Sequence, residues 1–127
     1  MTDAITTVTN FMQAWKVSEE AVQQSFRDYF TPTTVWDNVG LAKTTGIDEA
    51  LALMAGFGAQ LGIATLVVDM INIAANGNIV LTERVDRFID KHGKEVGAVR
   101  VMGSLEVKNG KIVTWSDYFD SAAVKPK

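Results

Sequence analysis

The segment "IATLVVDMINIAANGNIVLTERVDRFI", residues 63–89, predicts two β-strands joined by a tight turn. Both arms are rich in the β-branched residues that favour strands. Asn76 and Gly77 separate the two arms, and an Asn-Gly pair between apolar runs is a strong short-range signal for a hairpin. We therefore expect an antiparallel sheet to begin here.

Two more strand-like segments follow this hairpin. "EVGAVRVMGSLEV" (95–107) comes after a turn at His92 and Gly93, and "KIVTWSDYFD" (111–120) comes after a second Asn-Gly pair at 109–110. Strand-like segments bounded in this way by turn residues indicate an antiparallel meander over the C-terminal half of the chain.

The N-terminal half has the periodicity of α-helices instead. Apolar residues recur at helical spacing over residues 3–16, which predicts a first helix. Ser18 is a good N-cap for a second helix, which the Thr31-Pro32 pair would end. Gly46 begins a third predicted helix that runs to about Leu61.

A short strand is also expected at residues 33–38, between the second and third helices. Helices first and an antiparallel meander afterwards indicate the α+β class, with the helices packed on one face of the sheet. A curved sheet closed by helices on its concave side would enclose a pocket. The sequence shows no linker, repeat or low-complexity segment, so residues 1–127 are expected to form a single domain.

Composition narrows the classes of function. The chain has 127 residues, of which 47% are hydrophobic and 21% charged, as in a folded globular protein. Its net charge is −3, and its basic cluster is a short tail at residues 125–127, which argues against nucleic acid as a partner. The sequence contains no cysteine, and its one histidine, His92, lies in a polar turn. Chemistry would therefore rest on carboxylates, Arg, Asn, Tyr or Trp.

One apolar segment is long enough to suggest a membrane span. Residues 50–68 carry no charge, but three glycines interrupt them and their second half is rich in β-branched residues. We interpret this segment as a core helix that leads into a buried strand, and we expect no membrane partner. The N-terminus has no signal-peptide pattern, so we expect a cytoplasmic protein.

The last predicted strand places a carboxylate among apolar side chains. Alternation puts Asp117 on the same face as Trp115 and Phe119. A buried charge is costly unless it is paired. Arg84, in the middle of an earlier strand, shares its face with Asp86, so one guanidinium could bind both acids.

This pattern leaves two interpretations open. In the strand around Arg84 neither face is cleanly apolar, so alternation does not say which face lies inside. If both acids are buried beside one Arg, desolvation favours protonation of one of them, and the cluster then holds an acid and a base. Alternatively, Asp117 and Arg84 form a structural ion pair and Asp86 is solvated.

The segments "LTERVDRF" (81–88), "NGKIVTWSDYFD" (109–120) and "TVWDNVG" (34–40) resemble those of the limonene-1,2-epoxide hydrolases. The resemblance extends from about Val8 to Asp120. It implies the cone-like α+β barrel shared with nuclear transport factor 2, ketosteroid isomerase and scytalone dehydratase. In that fold a curved, mostly antiparallel sheet and about three helices from the N-terminal half enclose an apolar pocket.

The resemblance also implies roles for individual residues. Asp86 would be the general acid that protonates the epoxide oxygen, and Asp117 the general base that takes a proton from water. Arg84 would orient both acids, and Asn38 would help to hold the water. The ring would open in one step, without a covalent ester and without a metal or organic cofactor.

Trp36 departs from the family, whose best-known members have a tyrosine at this position. An indole N–H can donate a hydrogen bond to water but cannot accept one, so it could fix the water but not relay a proton. The alternative is that Trp36 only packs in the core, as most buried tryptophans do.

The rest of the pocket would be apolar and would accept an apolar epoxide, such as a terpene or cycloalkene oxide. The candidate substrate-binding residues are Met12, Trp15, Leu61, Val68, Phe88, Val99, Val101 and Phe119. Members of the family are typically dimers, so by analogy we expect a homodimer through the outer sheet face, with Leu81, Val85 and Met102 as candidates.

The same fold carries other functions, which leaves two alternatives. An isomerase or cyclase would use one Asp as base and would not require Arg84 to bridge two acids. A non-catalytic carrier of apolar ligands would tolerate the loss of any member of the cluster. Contact of Arg84 with both Asp86 and Asp117 would favour the hydrolase.

Overall fold

The computed structural model describes residues 3–124, so the basic tail at residues 125–127 lies outside the described part. Over the described residues the chain forms three α-helices, two short 3₁₀ helices and six β-strands. In chain order they are α1 (Ala4–Gln13), a 3₁₀ helix (Ala14–Lys16), α2 (Glu19–Tyr29), β1 (Phe30–Asn38), β2 (Ala42–Thr45), α3 (Gly46–Leu61), β3 (Thr65–Asn76), β4 (Ile79–Ile89), β5 (Glu95–Lys108), β6 (Lys111–Tyr118) and a second 3₁₀ helix (Ser121–Val124).

Side-chain caps mark the starts of the first two helices. Asp3 Oδ1 accepts a hydrogen bond from the Thr6 backbone N–H at 2.7 Å, and Ser18 Oγ accepts one from the Ala21 N–H at 3.0 Å. The predicted N-cap at Ser18 is thus confirmed. α1 is shorter than the helix predicted over residues 3–16, because its last turn tightens into the 3₁₀ form that is common at helix ends.

α3 begins at Gly46 and ends at Leu61, as predicted. Gly62 follows with a left-handed φ of 72°, a conformation that glycine adopts readily at a helix end. The uncharged segment at residues 50–68 is therefore the body of α3 followed by the start of β3, which confirms the predicted order of helix and strand. The predicted burial was wrong for most of the segment: only Ala50 and Leu66 are buried in it, and β3 is an edge strand of the sheet. Within residues 3–124, no helix combines the length and the apolar character that crossing a membrane requires.

The six strands of residues 3–124 form one sheet in the order β2-β1-β6-β5-β4-β3. Neighbouring strands are antiparallel except β1 and β6, which are parallel. Register shifts interrupt four of the five pairings, and bulges of this kind bend a sheet. The α+β class with a curved, mostly antiparallel sheet is therefore confirmed.

Two features of the sheet were not predicted correctly. β2 was missed, because a strand of four residues is too short to show a clear alternation. β1 begins at Phe30 rather than at residue 33, since α2 ends at Tyr29 and the chain extends at once. The parallel pairing of β1 with β6 brings the N-terminal strand beside the last one, and Asn38 is in register with Asp117.

Burial along β4 resolves the question that the sequence pattern left open. Val80, Thr82, Arg84, Asp86 and Phe88 are all buried, whereas the residues between them are half-buried or exposed. α1 packs against β3, β4 and β5. The face of β4 that carries the charged pair therefore points into the protein.

Aromatic side chains fill the space between the helices and the sheet. Trp36 and Trp115 are neighbours across β1 and β6, and their rings stack with centroids 4.6 Å apart and 9° between the planes. Phe11 of α1 packs edge to face on Trp115, with ring centroids 5.4 Å apart. The ring centroids of Phe26 of α2 and Trp36 are 5.3 Å apart. Such aromatic pairs stabilise a core beyond the burial of their area alone.

Candidate active site

Neighbouring strands bring one cation and two carboxylates together. Arg84 and Asp86 lie on β4 and Asp117 lies on β6, with β5 between them. Arg84 Nε and Nη2 donate to Asp86 Oδ1 and Oδ2 at 2.9 and 3.1 Å, and Nη2 also donates to Asp117 Oδ2 at 2.6 Å. Arg84, Asp86 and Asp117 are only 1%, 6% and 5% exposed. One buried guanidinium thus contacts both acids.

Two further side chains bind this cluster, and sequence reasoning did not assign either of them to it. Thr82 Oγ1 accepts a hydrogen bond from Arg84 Nη1 at 2.9 Å, and Trp115 Nε1 donates one to Asp117 Oδ1 at 2.7 Å. Each stands two residues before its partner on the same strand, so alternation places both on the buried face. That spacing is the signal from which they could have been identified.

Burial and charge together set the protonation of the cluster. Burial alone would lower the pKa of Arg84, but attraction by Asp117 and Asp86 outweighs it and raises that pKa, so Arg84 stays charged. Burial raises the pKa of Asp86 above its ordinary value, and the adjacent Arg84 offsets only part of this effect. Asp86 therefore keeps a proton to higher pH than an ordinary aspartate does.

Asn38 and Trp36 lie next to this cluster on β1. Asn38 is in register with Asp117, and both Asn38 and Trp36 are buried, at 5% and 3% exposure. Asn38 Nδ2 and Trp36 Nε1 have no hydrogen-bond partner among residues 3–124. A buried donor without a partner is costly, so both groups are suited to bind a water or a ligand oxygen.

A cavity of about 70 Å³ lies against the cluster. Asp86, Asp117 and Asn38 give it polar groups, and most of the remaining wall is apolar. Trp36 lines this cavity while its ring stacks on Trp115, so the two interpretations of Trp36 do not exclude each other. The predicted substrate-binding residues that line the cavity are Trp15, Leu61, Phe88, Val99, Val101 and Phe119.

Met12 and Val68, which were also predicted to line the pocket, are not part of the cavity wall. Met12 is 1% exposed within the hydrophobic core. Helical spacing shows that such a residue faces inward, but not whether it reaches a cavity. Val68 is half-buried and in register with Asp86, whereas Leu66 of the same strand reaches the cavity.

Sequence reasoning missed several residues of the cavity wall, namely Phe26, Met54, Phe57, Ile63, Leu66 and Trp115. Met54 and Phe57 belong to α3, and residues 50–61 of that helix carry no charge. A helix with so few polar residues shows no clear apolar face, so its sequence did not indicate which residues face the cavity. Among residues 3–124, no group of three or more His, Cys, Asp or Glu side chains is placed to hold a metal ion.

The sequence of residues 2–125 matches the family model described as the limonene-1,2-epoxide hydrolase catalytic domain. The chain belongs to this family. The resemblance predicted from about Val8 to Asp120 is therefore confirmed.

Comparison by sequence and comparison by structure each match this limonene-1,2-epoxide hydrolase family member to an epoxide hydrolase from Mycobacterium tuberculosis. Epoxide hydrolase EphG of strain ATCC 25618 / H37Rv is 34% identical over 90 residues. The match covers 68% of this chain and 54% of that protein, so the chain spans about half the length of this curated relative. A solved LEH-like epoxide hydrolase has a TM-score of 0.74 at 28% identity, over 95% of this chain and 85% of that one.

More distant structures share the fold alone. A SnoaL-like protein from Jannaschia sp. CCS1 has a TM-score of 0.74 at 18% identity, over 95% of this chain and 88% of that one. An NTF2-like protein from Burkholderia pseudomallei K96243 has a TM-score of 0.74 at 19% identity, over 96% of this chain and 94% of that one. A fold that hosts many functions does not decide among them, so the function is inferred from the site.

Proposed function

We propose that this protein is an epoxide hydrolase that adds water to an apolar epoxide and forms a vicinal diol. The observation that carries the proposal is the buried contact of Arg84 with both Asp86 and Asp117 beside an apolar cavity. An epoxide opens readily when an acid neutralises the ring oxygen while a base activates the attacking water. Two carboxylates held in different protonation states can supply both functions.

In the proposed step Asp86 is protonated and Asp117 is ionised. The water oxygen forms a bond to one ring carbon as the bond from that carbon to the ring oxygen breaks. Asp117 takes a proton from the water, and Asp86 gives its proton to the ring oxygen, so the product is a neutral diol. Arg84 donates hydrogen bonds to both acids and stabilises whichever is charged, and a proton returns from Asp117 to Asp86 before the next turnover.

We assign to Asn38 and Trp36 the role of holding the water beside Asp117. The register of β1 with β6 supports this assignment, as do the side-chain donors of Asn38 and Trp36, which have no hydrogen-bond partner among residues 3–124. An indole N–H can only donate. If the indole N–H of Trp36 donates to the water oxygen, the water keeps both O–H groups free, and one of them can donate to Asp117.

The apolar wall supports an apolar epoxide as the substrate class. An isomerase or cyclase with a single Asp base, or a carrier of apolar ligands, would also suit the fold, as the SnoaL-like neighbour illustrates. Neither alternative needs a guanidinium held between two buried carboxylates. A buried ion pair contributes little net stability, so stability alone gives a weak reason for this cluster.

The test is hydrolysis of a panel of apolar epoxides, including limonene and cyclohexene oxides, by wild type, Asp86→Asn and Asp117→Asn. We expect diol from the wild type and from neither variant. Asp69→Asn is the matched control. Asp69 pairs with Arg87 at 2.6 Å, the same distance as Asp117 to Arg84, but the side chain of Asp69 is half exposed. No hydrolysis by wild type would refute the reaction, and activity in either cluster variant would refute the mechanism.

We further propose a homodimer through the outer face of the sheet. Leu81 and Met102 are 48% and 54% exposed on that face, and Ile71 and Tyr118 beside them are more than half exposed. Light scattering should give the mass of two chains for wild type and of one chain for Met102→Glu. Val17→Glu, at an apolar residue 71% exposed elsewhere, should leave the mass unchanged. A monomeric wild type would contradict this proposal.

A further inference from the structure

Gly103 lies at the centre of the three strands that carry the cluster. On β5 it is in register with Thr82 of β4 on one side and with Asp117 of β6 on the other. Residues in register across a sheet share a face, so Gly103 sits on the buried face between the two strands that Arg84 links.

The backbone does not explain a glycine at this position. Among residues 3–124, the glycines with positive φ do not include Gly103. Its neighbours on the same face, Val101 and Leu105, are large and buried. A glycine inside a strand weakens it and often marks a place where another group approaches closely. The structure therefore points to space, rather than conformation, as the reason for Gly103.

The space that a side chain at Gly103 would need is already filled by the cluster. A Cβ atom there would lie 2.6 Å from Arg84 Nη1, 2.7 Å from Asp117 Oδ1 and 2.8 Å from Thr82 Oγ1. All three distances are far below carbon van der Waals contact. Arg84 cannot yield easily, because it is 1% exposed and hydrogen-bonded to Asp86, Asp117 and Thr82.

We propose that Gly103 is a positioning residue for the cluster: its missing side chain leaves the space through which Arg84 reaches Asp117, and Thr82 closes the other side of that space. The inference rests on the proposed hydrolase function for its effect on activity, but not for its effect on geometry. A single methyl group at Gly103 would press on both Arg84 and Asp117 and so would disrupt the contact of the guanidinium with Asp117.

The kinetic test is Gly103→Ala. We expect kcat to fall about 100-fold, because a misplacement of about 1 Å in a catalytic group has effects of that size. KM should change by less than about threefold, since the residues that bind the apolar substrate are untouched. Gly97→Ala is the matched control on the same strand and face, where a Cβ would approach only Phe88, at 3.2 Å. Because Phe88 lines the cavity but does not touch the cluster, any effect of this control should fall on KM, and kcat should stay near wild type.

A crystal structure of Gly103→Ala tests the inference without any assay of activity. We expect the contact of Arg84 Nη2 with Asp117 Oδ2, 2.6 Å long in the wild type, to be broken. An intact contact, or an unchanged kcat, would overturn the inference. If the wild type hydrolyses no epoxide, the proposed function fails, but the crystal structure still decides whether Gly103 positions Arg84.

Thr82→Val provides a second variant if Gly103→Ala does not fold. It keeps nearly the same shape and removes only the acceptor of Arg84 Nη1. We expect kcat to fall about tenfold, since a hydrogen bond to a charged group is lost. A kcat equal to that of wild type would overturn the part of the inference in which Thr82 holds Arg84 in place beside Gly103.

Discussion

Trp115 donates its indole N–H to Asp117 Oδ1 at 2.7 Å, from two residues earlier on the same strand. The other oxygen of Asp117 binds Arg84. Both oxygens of the proposed base are therefore held in place, and Trp115 is itself fixed by stacking on Trp36. The orientation of this carboxylate thus depends on an aromatic side chain as well as on a cation.

Replacement of Trp115 by Phe should impair catalysis while much of the aromatic packing remains. We expect kcat to fall about 10- to 100-fold, because Asp117 loses a hydrogen bond made to a charged group. Steady-state kinetics measure the effect. Trp15→Phe is the comparison, because Trp15 stacks on Trp115 and lines the cavity but makes no hydrogen bond to Asp117, and this variant should change KM more than kcat. Equal losses of kcat in the two variants would contradict the role of Trp115.

Activity should fall as pH rises through the pKa of Asp86. Burial raises that pKa above the ordinary value for aspartate, and the proposed general acid must be protonated to act. The alkaline limb of the kcat/KM profile should therefore lie above about pH 4, the ordinary range of an aspartate. If kcat/KM instead stays constant or rises as pH increases above about 4, protonated Asp86 is not the active form.

Stability should respond to the same proton. A carboxyl whose pKa is higher in the folded than in the unfolded state stabilises the folded protein below its unfolded pKa, and this contribution is lost as pH rises through the folded pKa. Urea unfolding at a series of pH values should show wild type losing stability relative to Asp86→Asn as pH rises. A constant difference between the two proteins would exclude a raised pKa for Asp86.

Substitutions of Trp36 should separate its donor from its packing. Trp36→Tyr keeps a donor toward the cavity and should retain activity within about tenfold, whereas Trp36→Phe removes the donor and should lose more. The test measures the rate of each variant on the best epoxide of the panel. It also determines which ring carbon receives the new hydroxyl group. Equal rates for the Tyr and Phe variants would mean that Trp36 only packs in the core.

Much of the fold could be predicted from local signals. The Asn-Gly turns, the N-cap at Ser18 and the glycine that begins α3 depend on a few adjacent residues, and each was found at its predicted position. The parallel pairing of β1 with β6 could not be predicted, because it joins segments that are far apart in sequence. That pairing is what brings Asn38 to Asp117.

The site was predictable only in part for a related reason. Alternation placed Arg84 and Asp86 on one strand face, but the mixed polarity of both faces concealed which one was buried. The space at Gly103 depends on three neighbouring strands at once, so no local pattern could indicate it. The uniformly apolar α3 likewise concealed Met54 and Phe57 from the prediction of the cavity wall.

The most direct test of the central claim is a single turnover in water enriched in ¹⁸O, with enzyme in excess over an apolar epoxide. Direct attack of water activated by Asp117 predicts one ¹⁸O atom in the diol of the first turnover and none in the enzyme. A first-turnover diol without ¹⁸O, with the label in a carboxylate of the enzyme instead, would mean that a carboxylate attacks the ring and that the account is wrong.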